Sequence, residues 1–278
     1  MAVLLGLITA ICFGSGDFFG GISTKKTSVL NVVGLSHAVG LVGVVALAPI
    51  IADDFAWTDV GIGALAGILG GVGVVLLYRG LATGPMAVVA PLTAIASAAV
   101  PALWGVATGE SLSRLAWVGI LAALVAIGLT SLPNEMSTAG VTVRTIAESL
   151  AAGVGFGSMF ILFDLTADAV APWPVVGARA TTTAALLGFI LLARRSELAS
   201  ARPALGTIFL TGLFDTGSNV IFLIATTLGD LAVVAVLSSL YPVSTVILAR
   251  LILDERMSRL QFVGLVVALG ATTLIALG

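Results

Sequence analysis

The chain has 278 residues, of which 59% are hydrophobic and only 9% charged, and its net charge is -2. Soluble domains carry about 25% charged residues, so a water-facing surface is excluded and lipid is the solvent for most of the chain. No basic patch points to nucleic acid. A single cysteine, Cys12, and a single histidine, His37, exclude an internal disulfide and a Cys/His metal or catalytic cluster.

A membrane-crossing helix needs about 20 mostly apolar residues. By that measure the sequence predicts an all-α membrane protein of ten transmembrane helices. The spans run approximately Val3–Ile22, Val29–Ile51, Val60–Ala82, Met86–Val106, Leu115–Leu132, Ile146–Phe163, Trp173–Ala193, Ala204–Thr227, Leu231–Leu251 and Leu260–Leu277. The first lacks the basic leader of a secretory signal and reads as a retained helix. Gly84–Pro85 and Gly229–Asp230 mark turns between closely spaced spans, and Arg194–Pro203 reads as a hydrophilic break. The longest hydrophilic connection, Pro133–Arg144, divides the chain near its middle.

That division exposes an internal repeat. Shifting the second half back by about 145 positions superposes Ala87-Val88-Val89-Ala90 on Ala232-Val233-Val234-Ala235. It also pairs Glu110 with Glu255 and Ser113-Arg114-Leu115 with Ser258-Arg259-Leu260. Phe13-Gly14-Ser15 matches Phe156-Gly157-Ser158 at nearly the same offset. The expected domains are a first five-helix repeat over 1–132, a connecting loop over 133–145 and a second repeat over 146–278. Five spans per copy is an odd number, so the second copy must lie inverted. Inverted repeats recur in secondary transporters, with the substrate site near mid-membrane between the halves.

Lys and Arg concentrate on one side, at Lys25, Lys26, Arg79, Arg144, Arg194, Arg195, Arg202, Arg250, Arg256 and Arg259, against Arg114 alone on the other. The positive-inside rule makes the first side cytoplasmic and puts both termini outside.

Charges inside spans are costly and mark function by default. Asp17, Arg179 and Asp215 are the intramembrane charges, and His37 lies at a depth equivalent to Arg179 under the repeat. One reading has them line a central cavity. A carboxylate there could bind a cation or take up a proton, because a partly dry site disfavours its charged form, and the arginine could clamp a carboxylate or phosphate. The other reading is a structural ion pair between Arg179 and one aspartate. Three helical stripes suit a cavity wall: Asp215, Ser218, Asn219, Phe222; Ser238, Tyr241, Pro242, Thr245; and Thr93, Ser97, Pro101, Trp104. Interhelical bonding by Ser and Thr is the alternative. The candidate substrate-contacting residues are Phe13, Asp17, Tyr78, Ser97, Arg179, Asp215, Asn219 and Tyr241.

Pro91, Pro101 and Pro242 lie inside spans, as static kinks or as hinges. Gly63, Gly67 and Gly71, Gly16 and Gly20, and Gly153 and Gly157 have the spacing of close helix packing. Gly14-Ser15-Gly16 lacks the strand and Lys-Ser/Thr of a phosphate loop. Asp53-Asp54 reads as a solvated loop, and Glu110 and Glu255 as loop ends or helix caps.

Ten spans in two copies, the Phe13-Gly14-Ser15 segment, Pro85–Pro101 followed by Gly109-Glu110-Ser111, and Gly229–Pro242 followed by Leu253-Asp254-Glu255-Arg256 resemble the EamA-type members of the drug/metabolite transporter superfamily. At Asp17 the chain departs from the commoner Asn or apolar residue. The resemblance implies a secondary carrier, often an exporter, of amino acids or other small metabolites, with a central cavity between repeats. It implies no cofactor or metal. The expected partners are a small-molecule substrate, the bilayer and possible coupling protons, with the chain acting as a monomer or homodimer in the plasma or inner membrane. A channel or a non-transporting interaction protein is the alternative function. A membrane-embedded enzyme would need clustered His, Glu, Asp or Cys near one face.

Overall fold

The computed structural model describes residues 1–52, 54–83, 86–130, 142–166, 172–253 and 258–278. Among these the chain is helical and has no strand. The helices are α1 (Ala2–Thr24), α2 (Val29–Ile51), α3 (Trp57–Thr83), α4 (Met86–Thr108), α5 (Arg114–Thr130) and α6 (Val143–Asp164). There follow α7 (Trp173–Ala193), α8 (Leu205–Thr226), α9 (Leu231–Ser238), α10 (Tyr241–Ile252) and α11 (Arg259–Leu277). Among the described residues, eight helical stretches are long and apolar enough to cross a membrane. Their outward faces carry large apolar side chains such as Val42, Leu192, Phe262 and Leu269, the surface that lipid requires. Asp53, Gly84–Pro85, most of the central connection and Glu255 with its neighbours lie outside the described residues.

Helix starts follow local chemistry. Ser28 accepts the Asn31 N–H at the start of α2, and Thr142 with Thr145 and Ser258 with Gln261 form reciprocal capping boxes at α6 and α11.

Two segments differ from the sequence expectation. The hydrophilic stretch after α7 is a 3₁₀ helix, Arg195–Ala204. It docks on the start of α2, where the fully buried Asn31 amide donates to the Glu197 carbonyl at 2.8 Å. The ninth span is a broken helix: α9 ends at Ser238 and α10 begins at Tyr241. Pro242 has no N–H to give, so it sits in the first turn of a new helix, where none is needed. Irregular backbone at membrane depth must be covered by protein, and Leu237, Ser239 and Leu240 are buried. α4 runs unbroken through Pro91 and Pro101.

Packing follows a reciprocal scheme. The second-half counterparts of α1 to α5 are α6, α7, α8, the α9–α10 pair and α11. α1 packs on α8, α9 and α10, and α6 packs on α3 and α4. α2 packs on α7 and α8, α7 on α2 and α3, and α5 on α11. Exchanging each helix for its counterpart returns the same scheme. The small-residue row of α3 makes one of these contacts: a Cβ on Gly63 or Gly67 would strike the backbone of Pro174 or Ala178 in α7.

A second link joins the halves at the membrane edge. α4 ends with the Glu110 N–H on the Gly105 carbonyl and the Gly109 N–H on the Val106 carbonyl, and Gly109 has φ +108°. This reversal turns the Glu110 carboxylate away from α5 and onto the start of α9, where it accepts the Leu231 and Ala232 N–H groups at 2.8 and 3.0 Å. Glu110 is therefore a cap, as expected, but of a helix in the other half. Burial pushes its carboxyl above the ordinary glutamate range, and the two N–H bonds oppose that push. The folded state then holds a proton more tightly than the unfolded chain, so stability falls as pH rises through the window above 4.5. Glu110→Ala is expected to flatten that dependence and to lower stability by about 1 kcal/mol, read by thermal unfolding in detergent at a series of pH values.

Candidate functional site

The helix pairings bring α1, α3, α4, α6, α7, α8 and α10 around one internal cavity of about 40 Å³. All eight residues singled out from the sequence border it: Phe13, Asp17, Tyr78, Ser97, Arg179, Asp215, Asn219 and Tyr241. One water needs at least about 10–15 Å³ of such space, so the cavity is narrow, with room for a few waters. Gly67, Gly70 and Gly71 of α3 also line it, and a Cβ on them would strike Ala178, Met159 and Thr182 respectively. The hydroxyl end of Tyr78 packs against Gly20, where a Cβ would displace it.

One polar network ties three helices together. Arg179 Nη2 lies 2.8 Å from Asp215 Oδ2 and donates to the Asp215 carbonyl oxygen at 3.1 Å. Arg179 Nη1 donates to His37 Nε2 at 3.1 Å. The same nitrogen lies 3.5 Å from Asp215 Oδ2; a guanidinium has no acceptor, so the bond from Arg179 calls for the neutral Nδ1–H tautomer. Its Nδ1–H donates to Thr182 Oγ1 at 2.7 Å, and the Thr182 hydroxyl donates onward to the Ala178 carbonyl at 2.9 Å. Ser218 and Asn219 add donors to the Asp215 carbonyl at 2.7 and 2.6 Å. The Arg179–Asp215 ion pair foreseen as a structural alternative is thus present, and both partners also border the cavity.

Asp17 stands apart. It is half-buried, and among the described residues its carboxylate has no hydrogen bond or ion pair. Three further polar atoms on buried cavity residues lack a partner: Arg179 Nε, the Asn219 amide oxygen and the Tyr241 hydroxyl. Asp17 and Tyr241 also border a second cavity of about 230 Å³, which extends past Pro242 and Thr245 to Lys25, Leu253 and Gln261. They form the partition between the two spaces. The opposite end of the central cavity is closed by Phe13 against Phe160, with centroids 5.8 Å apart, and by Phe160 stacked on Phe222 at 4.2 Å. These rings pack with Ala2 and Leu231, at the end of the bundle where α1 and α9 begin.

The expected stripes are only partly cavity-facing. Asp215 and Asn219 face in, whereas Ser218 is spent on its own helix and Phe222 lies behind Phe160. Ser97 faces in and bonds Ser239 at 3.2 Å. Thr93 instead donates to the Ser149 carbonyl, and Trp104 is 41% exposed. Tyr241 borders the central cavity, Pro242 and Thr245 the second one, and the Ser238 hydroxyl is buried without a partner. The α6 contribution of Phe156, Met159, Phe160 and Phe163 was missed. A signal was available: Phe156 is the repeat counterpart of Phe13.

A bundle of long apolar helices that encloses charged and aromatic residues defines a multi-pass membrane protein. The chain belongs to the EamA-like transporter family, whose model matches residues 1–132 and 145–277. An uncharacterized protein of Methanocaldococcus jannaschii is 30% identical over 138 residues, which are 48% of this chain and 98% of that protein. A solved crystal structure superposes with a TM-score of 0.69 at 20% identity, covering 99% of this chain and 98% of that one. That likeness speaks for the fold alone.

Breaking the buried ion pair has a measurable cost. Arg179→Gln leaves Asp215 uncompensated and is expected to lower stability by about 3 kcal/mol. The Arg179→Gln/Asp215→Asn double variant is expected to recover more than half of this in a thermal-unfolding double-mutant cycle.

Proposed function

We propose that the protein is a secondary carrier that moves a small metabolite or drug-like solute across the membrane by alternating access. The observation that carries this reading is the convergence of residues from both matched segments on one cavity, with Asp17, Tyr78 and Ser97 from the first and Arg179, Asp215, Asn219 and Tyr241 from the second. The reciprocal helix pairing supports two inverted five-span repeats, with the broken α9–α10 pair as a single span of ten. A methanogen relative as long as one matched segment supports the repeat as a unit.

Rocking one repeat against the other around a fixed central site is the mechanism such a plan allows. The cavity has phenylalanines at one end, and at the other its partition of Asp17 and Tyr241 faces the wider space on the Lys25 side. By the positive-inside rule that side is the cytoplasm and both termini lie outside, as suits an exporter in the plasma or inner membrane. No covalent step is needed, because binding, exclusion of water and release are the whole of the chemistry. The solute contacts are Phe13, Asp17, Tyr78, Ser97, Arg179, Asp215, Asn219 and Tyr241, with a proton as a candidate co-substrate.

Proteoliposomes test this. A carrier shows saturable flux that is accelerated by unlabelled solute on the far side. Tyr241→Phe, which removes only the partnerless hydroxyl, is expected to reduce it by about tenfold while leaving thermal stability near wild type. A non-saturable conductance would instead establish the channel alternative.

A further inference from the structure

We propose that the central site selects a singly charged organic cation, an ammonium group carried on an apolar or aromatic body. This rests on the carrier reading for its transport aspect, but the site's preference follows from its own charge balance.

The cavity holds two carboxylates, Asp17 and Asp215, against one guanidinium, Arg179. The histidine in contact with them, His37, has its Nε2 3.1 Å from Arg179 Nη1 and 3.5 Å from Asp215 Oδ2, and in its neutral form it accepts from the guanidinium and adds no charge. Arg179 is already committed to Asp215 through both the side-chain and the main-chain oxygen. It has no free charge with which to clamp an anionic solute, and its Nε–H and second Nη1–H remain to donate to a neutral oxygen. The carboxyl without a charged partner is therefore Asp17, and it carries a negative charge whenever a cation rather than a proton answers it. In a water-poor site a lone carboxylate is met by a proton, by water or by a cation from the ligand.

The surroundings decide which kind of cation fits. A hard metal ion takes about six oxygen ligands. Around Asp17 the lining is instead aromatic: Phe13, Tyr78, Phe156, Phe160 and Tyr241. Ring faces attract alkylammonium groups and bury their carbon substituents. The free Asn219 amide oxygen and Tyr241 hydroxyl offer hydrogen-bond partners for an ammonium N–H or a ligand hydroxyl. Position agrees with chemistry: Asp17 stands at the partition between the closed cavity and the wider space, so it is the first charge a solute meets when Tyr241 moves aside. Lys25 borders the far end of that space, where it is exposed to solvent and screened by salt.

Three probes share one aromatic body and differ in charge: phenethylamine (cation), phenylalanine (zwitterion) and 3-phenylpropionate (anion). Equilibrium binding of each to the purified full-length protein in lipid nanodiscs reads the preference. Phenethylamine is expected to bind about tenfold or more tightly than either of the others. Asp17→Asn is expected to erase that difference, while Asp17→Glu keeps it; a folded Asp17→Glu protein guards against loss through misfolding. Equal or tighter binding of phenylalanine or 3-phenylpropionate, an Asp17→Asn protein with unchanged preference, or no saturable binding of phenethylamine would overturn the proposal. Counterflow in proteoliposomes separates this from the carrier reading. Saturable exchange of the zwitterion or anion but not the amine removes the cation preference and leaves the carrier. Asp17-dependent amine binding with no exchange of any solute leaves the cation site and removes the carrier.

Discussion

A charge inside a bilayer must be answered within the protein, and here the answer is the Arg179–Asp215 pair with His37 and Thr182 behind it. The network draws on α2, α7 and α8, so these helices can approach only in the register that lets the three side chains meet. The close helix contacts elsewhere serve that approach. Small residues on α3 admit the backbone of α7, and with it the guanidinium, to the centre of the bundle. Helix association without a hydrophobic driving force relies on such packing and on interhelical hydrogen bonds. Both meet at this pair.

The two halves share a scaffold but not a chemistry. Asp215 and Asn219 have Gly70 and Val74 as their repeat counterparts, and Arg179 has His37. Every one of these lines the cavity or contacts a residue that does. Divergence between the copies therefore made an asymmetric polar site inside a symmetric packing scheme. Both halves supply wall residues, while the guanidinium, the paired carboxylate and the amide come from the second half and Asp17, Tyr78 and Ser97 from the first.

Much of this was legible in the sequence because membranes make charge and length unusually informative. Asp17, Arg179 and Asp215 stood out because they are the charges deepest within the spans, and the repeat showed which segments are equivalent. The partners were not legible. That Arg179 bonds Asp215 rather than Asp17 depends on helix rotation, which a uniformly apolar sequence does not encode by periodicity. Trp104 shares a stripe with Ser97 and yet faces outward, because a lipid-facing aromatic and a buried one have the same composition. The break between α9 and α10 was hidden for a similar reason. Pro242 signalled a disturbance, but kink and full stop differ only in what covers the freed backbone. Glu110 was recognisable as a cap, but the helix it caps lies 121 residues away.

The reciprocal pairing also has a consequence for assembly. α1 finds its main neighbours in α8, α9 and α10, and the first of these begins only at Leu205. During synthesis the first helix, with Asp17 on it, enters the membrane long before the surfaces that will shelter it exist. The early half must therefore persist as a loose set of inserted helices, and the late half does not join a finished domain but completes it. Biogenesis of such a chain is governed by how long lipid or the insertion machinery can host an unsheltered carboxylate.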